Sequence, residues 1–321
     1  MAGDGNSPEP SGAIRPGLRW VRRLVVSGLT IVALLALLAP LLVSELVIHP
    51  VPPGRFPAGS APPGFEPLLV PGEPTISCWL GSPVGTAASG TALFAHGLGA
   101  ARIQGGLLAD ELRRQGLSVL LCDLRGHGES GNGPVSYGPL EAADLERAIG
   151  AAGATGADVE RLGVVGFSLG GAVAARLAAT DPRVKVLVLC STFTSVRDIL
   201  HHYGAWAFRG LVPGPVIDTG LRIASLRGGF SVDDPSTEAA LHSLAIPALL
   251  VHGASDRQIP VEMHDRLCAA KPEPRRCFTV PGAQHADLFA VGGAPLRRTI
   301  AAFVGEALAT TPAAQEATPD P

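Results

Sequence analysis

Gly166-Phe167-Ser168-Leu169-Gly170 sets a serine between two glycines, each two positions away. It follows the apolar run Leu162-Gly163-Val164-Val165 and opens a stretch of small residues, Gly171, Ala172, Ala174 and Ala175. The pattern predicts a strand, a tight turn with the serine at its apex, and a helix packed closely on that strand. Bulky side chains two positions from the apex would collide with the strand or the helix. A bare G-x-S-x-G also arises by chance in glycine-rich turns, so the surrounding chain has to decide.

Apolar strand-like runs at 91–95, 117–122, 162–165, 184–190, 248–252 and 276–280 alternate with helix-like runs at 103–115, 140–152, 261–270 and 296–309. Continuous apolar strands separated by helices predict a mostly parallel sheet covered on both faces. In such sheets, chemistry collects in loops at the carboxyl ends of the strands. The polar clusters fall there: His96-Gly97-Leu98-Gly99, Arg125-Gly126-His127-Gly128-Glu129-Ser130, the loop holding Asp256 and the loop holding His285. On the helix at 140–152, Glu141, Asp144, Glu146 and Arg147 are expected to face water.

The order Ser168, Asp256, His285, each in a loop after a strand, resembles the α/β-hydrolases from about residue 68 to about 309. The resemblance implies an α/β fold with a mostly parallel central sheet, helices on both faces and a small helical cap. Ser191-Thr192-Phe193-Thr194-Ser195 and Gly282-Ala283-Gln284-His285-Ala286-Asp287-Leu288 are similar to a membrane-anchored serine-hydrolase branch. That branch has bacterial members and eukaryotic relatives that include protein depalmitoylases. Ser168 is then the expected nucleophile, His285 the base that takes its proton, and Asp256 the acid that orients the imidazole. The turn puts one oxyanion donor on the backbone N–H of Leu169, and the resemblance puts the second on that of Leu98. Asp198, after the strand ending near 191, is the alternative acid. Asp287 is expected to cap a helix, and His96 to orient the oxyanion loop.

Residues 194–245 make a connection far longer than usual, rich in apolar side chains such as Trp206, Phe208, Val212 and Ile217. This segment is expected to be the cap, with Trp206 and Phe208 setting acyl-chain preference. No H-E-x-x-H, no paired C-x-x-C and no G-x-G-x-x-G after the first strand is found, so neither a metal nor a nucleotide cofactor is expected. His201, His202 and His242 read as solvated helix positions. A net charge of −3 gives no basic footprint for nucleic acid.

Residues 24–43 carry no charge and would span about 30 Å as a helix, the thickness of a bilayer core. Arg15, Arg19, Arg22 and Arg23 precede the run, while Arg55 alone follows it closely, which predicts a cytoplasmic N-terminus. The expected organisation is a cytoplasmic tail at 1–23, a transmembrane anchor at 24–48, a proline-rich stalk at 49–75, a hydrolase domain at 76–309 and a disordered tail at 310–321. A cleaved signal peptide, giving a secreted domain, is the rival. Cys122 and Cys190 are expected as buried thiols; Cys268 and Cys277 can pair if the domain lies outside the cytoplasm. The combined expectation is a membrane-anchored serine hydrolase acting on a small-molecule or acylated, lipid-like ester or thioester. Its alternatives are an amidase or peptidase and a non-catalytic binding protein of the same fold.

Overall fold

Apolar stretches with no polar alternation must be covered from both sides, and the computed structural model covers them with helices. It describes residues 16–50, 59–85, 89–206, 209–232, 234 and 236–310. The tail before residue 16, the stalk segment 51–58, Phe208 and the tail from 311 lie outside the described residues. In chain order the elements are α1 (Pro16–Ile48), β1 (Phe65–Val70), β2 (Ile76–Gly81), β3 (Thr91–Ala95), a 3-10 turn (Arg102–Gly105), α2 (Gly106–Arg114) and β4 (Ser118–Cys122). Then come α3 (Pro139–Ala154), β5 (Leu162–Phe167), α4 (Leu169–Thr180), β6 (Val184–Cys190), α5 (Val196–Trp206), α6 (Gly214–Gly228) and α7 (Thr237–Ser243). The chain continues through β7 (Ala248–Gly253), α8 (Val261–Ala270), β8 (Arg275–Val280) and α9 (Leu288–Thr310).

The eight strands lie in the order β1-β2-β4-β3-β5-β6-β7-β8. Pairing is antiparallel between β1 and β2 and between β2 and β4, and parallel from β4 through to β8. β3, β4, β5 and β7 are buried along their whole length. One core, with Leu93, Leu120, Val164 and Leu187, lies under α3 and α4; the other, with Phe94, Leu121, Val165 and Val188, lies under α2 and α9. The parallel sheet and its helices match the expectation.

The expected stalk ends earlier than residue 75. Residues 65–70 form the edge strand β1, where Pro67 is tolerated because an edge strand can do without one ladder donor. The water-facing reading of α3 is corrected in part. Glu141 is fully buried, accepting the Ser136 and Gly138 N–H groups at 2.7 and 2.9 Å. Asp144 is buried too, gripped by Arg125 at 2.7 Å and by Arg147 at 2.7 Å. The expected Cys122 thiol is also corrected: Cys78 and Cys122 face each other across β2 and β4 and form a disulfide. Cys268 and Cys277 form a second one, and Cys190 keeps a buried thiol.

Candidate active site

β5 ends at Phe167, and Ser168 stands in a left-handed conformation at φ 54° before α4 begins. Such a backbone costs on the order of 1–3 kcal/mol and persists only where neighbours enforce it. Here the Ser168 N–H donates to the Cys190 carbonyl at 2.9 Å, and the Thr192 hydroxyl donates to the Ser168 carbonyl at 2.8 Å. The glycines at 166 and 170 follow from contact. A Cβ on Gly170 would lie 2.0 Å from the Ala95 carbonyl oxygen, and one on Gly166 would lie 2.2 Å from that of Gly170. Both obstacles are backbone, which cannot step aside.

The three residues expected to work together meet. His285 Nε2 lies 3.0 Å from Ser168 Oγ, and His285 Nδ1 lies 2.7 Å from Asp256 Oδ2. The other Asp256 oxygen accepts the backbone N–H groups of Gln258 and Ile259, each at 2.9 Å. The loops carrying acid and histidine follow adjacent strands and are stitched together: Ser255 N–H donates to the Ala283 carbonyl at 2.8 Å. Phe167 packs against the His285 ring, 5.1 Å between centroids. Asp198, the alternative acid, is engaged elsewhere, with Thr194 at 2.6 Å and Arg266 at 3.1 Å. Asp287 stands at the start of α9 as the expected cap, its carbonyl accepting the Ala290 and Val291 N–H groups at 2.9 and 2.8 Å, while its carboxylate accepts the Gln284 N–H at 2.6 Å and tightens the histidine loop.

Leu169 is the first residue of α4, where backbone N–H groups have no carbonyl one turn earlier to bond. The turn holding Leu98 is pressed against Ser168: a Cβ on Gly97 would come within 3.4 Å of Ser168 Cβ. Two side chains fix that turn. Gln104 accepts the Gly97 N–H at 2.8 Å, a contact that sequence reading missed because nothing in the 3-10 turn advertises it. His96 Nε2 accepts the Leu124 N–H at 2.9 Å, leaving Nδ1 to donate to the Gly97 carbonyl at 2.8 Å. His252 braces the acid loop similarly through the Ile259 carbonyl at 2.9 Å. His201, His202 and His242 lie apart, next to Asp218, the Arg257 carbonyl and the Ala270 carbonyl.

Burial, with help from nearby His127, pushes His96 down to about 3, and burial also lowers His127 and His252. The unfolded chain binds these protons near 6.5, while the folded chain holds His96 neutral to about 3. The stabilisation is therefore complete above pH 6.5 and is lost as pH falls from there toward 3. The expected slope approaches about 1.4 kcal/mol per pH unit for one such ring. Denaturant midpoints at neutral pH and near pH 5 check this; equal midpoints would mean the rings are not held neutral.

Helices α5 and α6 lie over the serine as the expected cap, but Trp206, expected as one of its anchors, does not line the space beneath. Trp206 is exposed and stacks on His202. A cavity of about 330 Å³ above Ser168 is bounded on the cap side by Ile199, Leu200, Tyr203, Val212 and Ile217. Leu98 and Leu169 share its floor with Ser168.

The sheet order, the strained serine turn and the cap define the α/β-hydrolase class. A family model described as serine aminopeptidase, S33, matches residues 86–226, less than half of the chain. The chain is 33% identical over 201 residues to the Mycobacterium tuberculosis protein Rv2307c, covering 62% of this chain and 64% of that one. It is 31% identical over 186 residues to the α/β hydrolase domain-containing protein WAV2 of Arabidopsis thaliana, covering 55% of this chain and 56% of that one. It thus spans less than two thirds of these relatives' own length. Among solved structures it resembles the Pyrococcus furiosus esterase Pf2001, with a TM-score of 0.62 at 20% identity, covering 80% of this chain and 100% of that one. At that identity the likeness is one of fold. The chain has the α/β-hydrolase fold and is similar to members of that superfamily.

Proposed function

We propose that the protein is a membrane-anchored serine hydrolase that cleaves a carboxylic ester or thioester through an acyl-enzyme. The observation that carries this reading is the continuous hydrogen-bonded chain from Ser168 Oγ through His285 to Asp256. His285 takes the serine proton as the oxygen attacks the acyl carbon, and returns it to the leaving group. The oxyanion formed there is stabilised by the N–H groups of Leu98 and Leu169; one such donor is typically worth roughly 2.7–4 kcal/mol of barrier. Water activated by His285 then releases the acid. The apolar cavity above the serine favours an acyl portion over a peptide, whereas the match to the serine aminopeptidase model favours amide cleavage as the second reading.

In this reading α1 is the anchor. Residues 19–48 form one helix with a mean hydropathy of 2.7 over its most apolar window. Arginines on its N-terminal side support a cytoplasmic N-terminus. Two disulfides support an oxidising surrounding for the domain. Burial of Val47 and Ile48 in the domain core supports retention of the helix over cleavage as a signal peptide.

One experiment addresses both parts. A membrane-impermeant fluorophosphonate, applied to intact cells, is expected to label the wild-type protein and to leave Ser168→Ala unlabelled. Labelling that survives the substitution removes Ser168 from its role, and labelling that appears only after lysis reverses the topology. Ester and peptide-amide substrates then separate the two readings.

A further inference from the structure

The cavity above Ser168 has two walls from different parts of the chain. One is the cap; the other is the end of α1, through Ala39, Leu42, Val43, Leu46 and Val47. Ala39, Leu42 and Val43 belong to the last turn or so of the uncharged run at 24–43. Residues four apart on a helix differ in depth by about 6 Å, so this wall reaches below the end of the apolar span rather than stopping at it. Leu34, Leu35, Leu37 and Leu38, one turn earlier and beyond, are exposed in the way a lipid-facing surface is.

The wall is fastened, not merely adjacent. The Val135 N–H donates to the Ile48 carbonyl at 2.8 Å, and the Tyr137 hydroxyl donates to that of Val47 at 3.1 Å. Arg227 on α6 reaches Ser44 at 3.1 Å and Glu45 at 2.6 Å. Where α1 crosses α6 the helices touch so closely that a Cβ on Gly220 would lie 2.5 Å from Val43 and 3.0 Å from the Pro40 carbonyl. Four hydrogen bonds and one close helix contact, between Pro40 and Ile48, hold the serine at a fixed height over the span's end.

From this juxtaposition we infer that α1 is part of the substrate site: it forms one side of an acyl-chain channel that opens into the outer part of the bilayer. Substrate is an ester or thioester whose long chain already lies in the leaflet; the chain slides along Ala39, Leu42 and Leu46 while its carbonyl rises to Ser168. This rests on the serine-hydrolase reading above and adds the source of the substrate. Water-soluble, short-chain esters reach the same serine without using the α1 wall.

The test uses the full chain reconstituted in phosphatidylcholine vesicles with p-nitrophenyl palmitate in the same bilayer and p-nitrophenyl butyrate in the water. Leu42→Trp and Leu46→Trp, which narrow the channel from the α1 side, are each expected to lower the palmitate-to-butyrate ratio of kcat/KM about tenfold or more. Leu34→Trp, on the same helix but away from the cavity, is expected to keep the wild-type ratio. Palmitate held in separate, protein-free vesicles is expected to react far more slowly than palmitate sharing the bilayer. Unchanged ratios in both tryptophan variants, or equal rates from shared and separate vesicles, overturn the channel while fluorophosphonate labelling leaves the hydrolase standing. Loss of labelling in the wild-type protein overturns both.

Discussion

Asp256→Asn is expected to lower kcat by about 10⁴-fold with little change in thermal midpoint. The reason lies in which proton each atom holds. The Asp256 carboxylate only accepts, so the His285 nitrogen facing it at 2.7 Å carries a proton and the nitrogen facing Ser168 is free to receive one. The remaining Asp256 oxygen is committed to two backbone N–H groups. An asparagine that keeps those bonds turns its NH₂ toward His285. The ring must then carry its proton on the serine side, where it donates to the hydroxyl instead of accepting from it. Steady-state turnover of a short ester, with a melt of the same sample, checks the outcome. A loss of less than about tenfold would falsify the assignment of Asp256 as the orienting acid.

The second large effect is on stability, from Arg102→Met. Asp123, at the end of β4, is fully buried and accepts the backbone N–H groups of Arg102 and Glu129, at 2.6 and 2.8 Å. Its charge is matched by the Arg102 guanidinium, itself nearly buried and stacked over Trp79 at 4.5 Å. Removing one partner of a buried pair leaves the other uncompensated, at a cost of about 3–5 kcal/mol. For a domain of this size that lowers the thermal midpoint by roughly 10 °C. Burial already holds the Asp123 carboxyl above its usual range. Without the guanidinium it protonates more readily, so the deficit relative to wild type should shrink as pH falls. Melts across a pH series check both statements; a variant as stable as wild type at neutral pH would show that the pair carries little.

Much of the site was legible because its requirements are local. A serine at the apex of a strand-to-helix turn needs small residues two positions away, and Gly166 and Gly170 state that need in five letters. The buried strands were legible for the same reason, since β3 to β7 are apolar without alternation. β1 was not. Its half-exposed pattern and Pro67 are what an edge strand tolerates, and they read equally well as stalk. Glu141 and Asp144 read as solvent-facing because a charge on a helix usually is. Their burial depends on Ser136, Gly138 and Arg125, which fold back from a loop whose path has no sequence signature. Cys78 was unremarkable until β2 came to lie beside β4.

By itself, then, the sequence determined the sheet, the serine turn and the order in which acid and histidine arrive, because strand burial and turn sterics act between neighbours along the chain. Only the tertiary structure decided that Asp256 rather than Asp198 faces His285, that Gln104 holds the turn at Gly97, and that α1 walls the cavity. Gln104 reaches only seven residues back to Gly97, through a turn without a sequence signature; the other two join segments tens to more than a hundred residues apart and are set by how β6, β7 and β8 stack and where α6 meets α1.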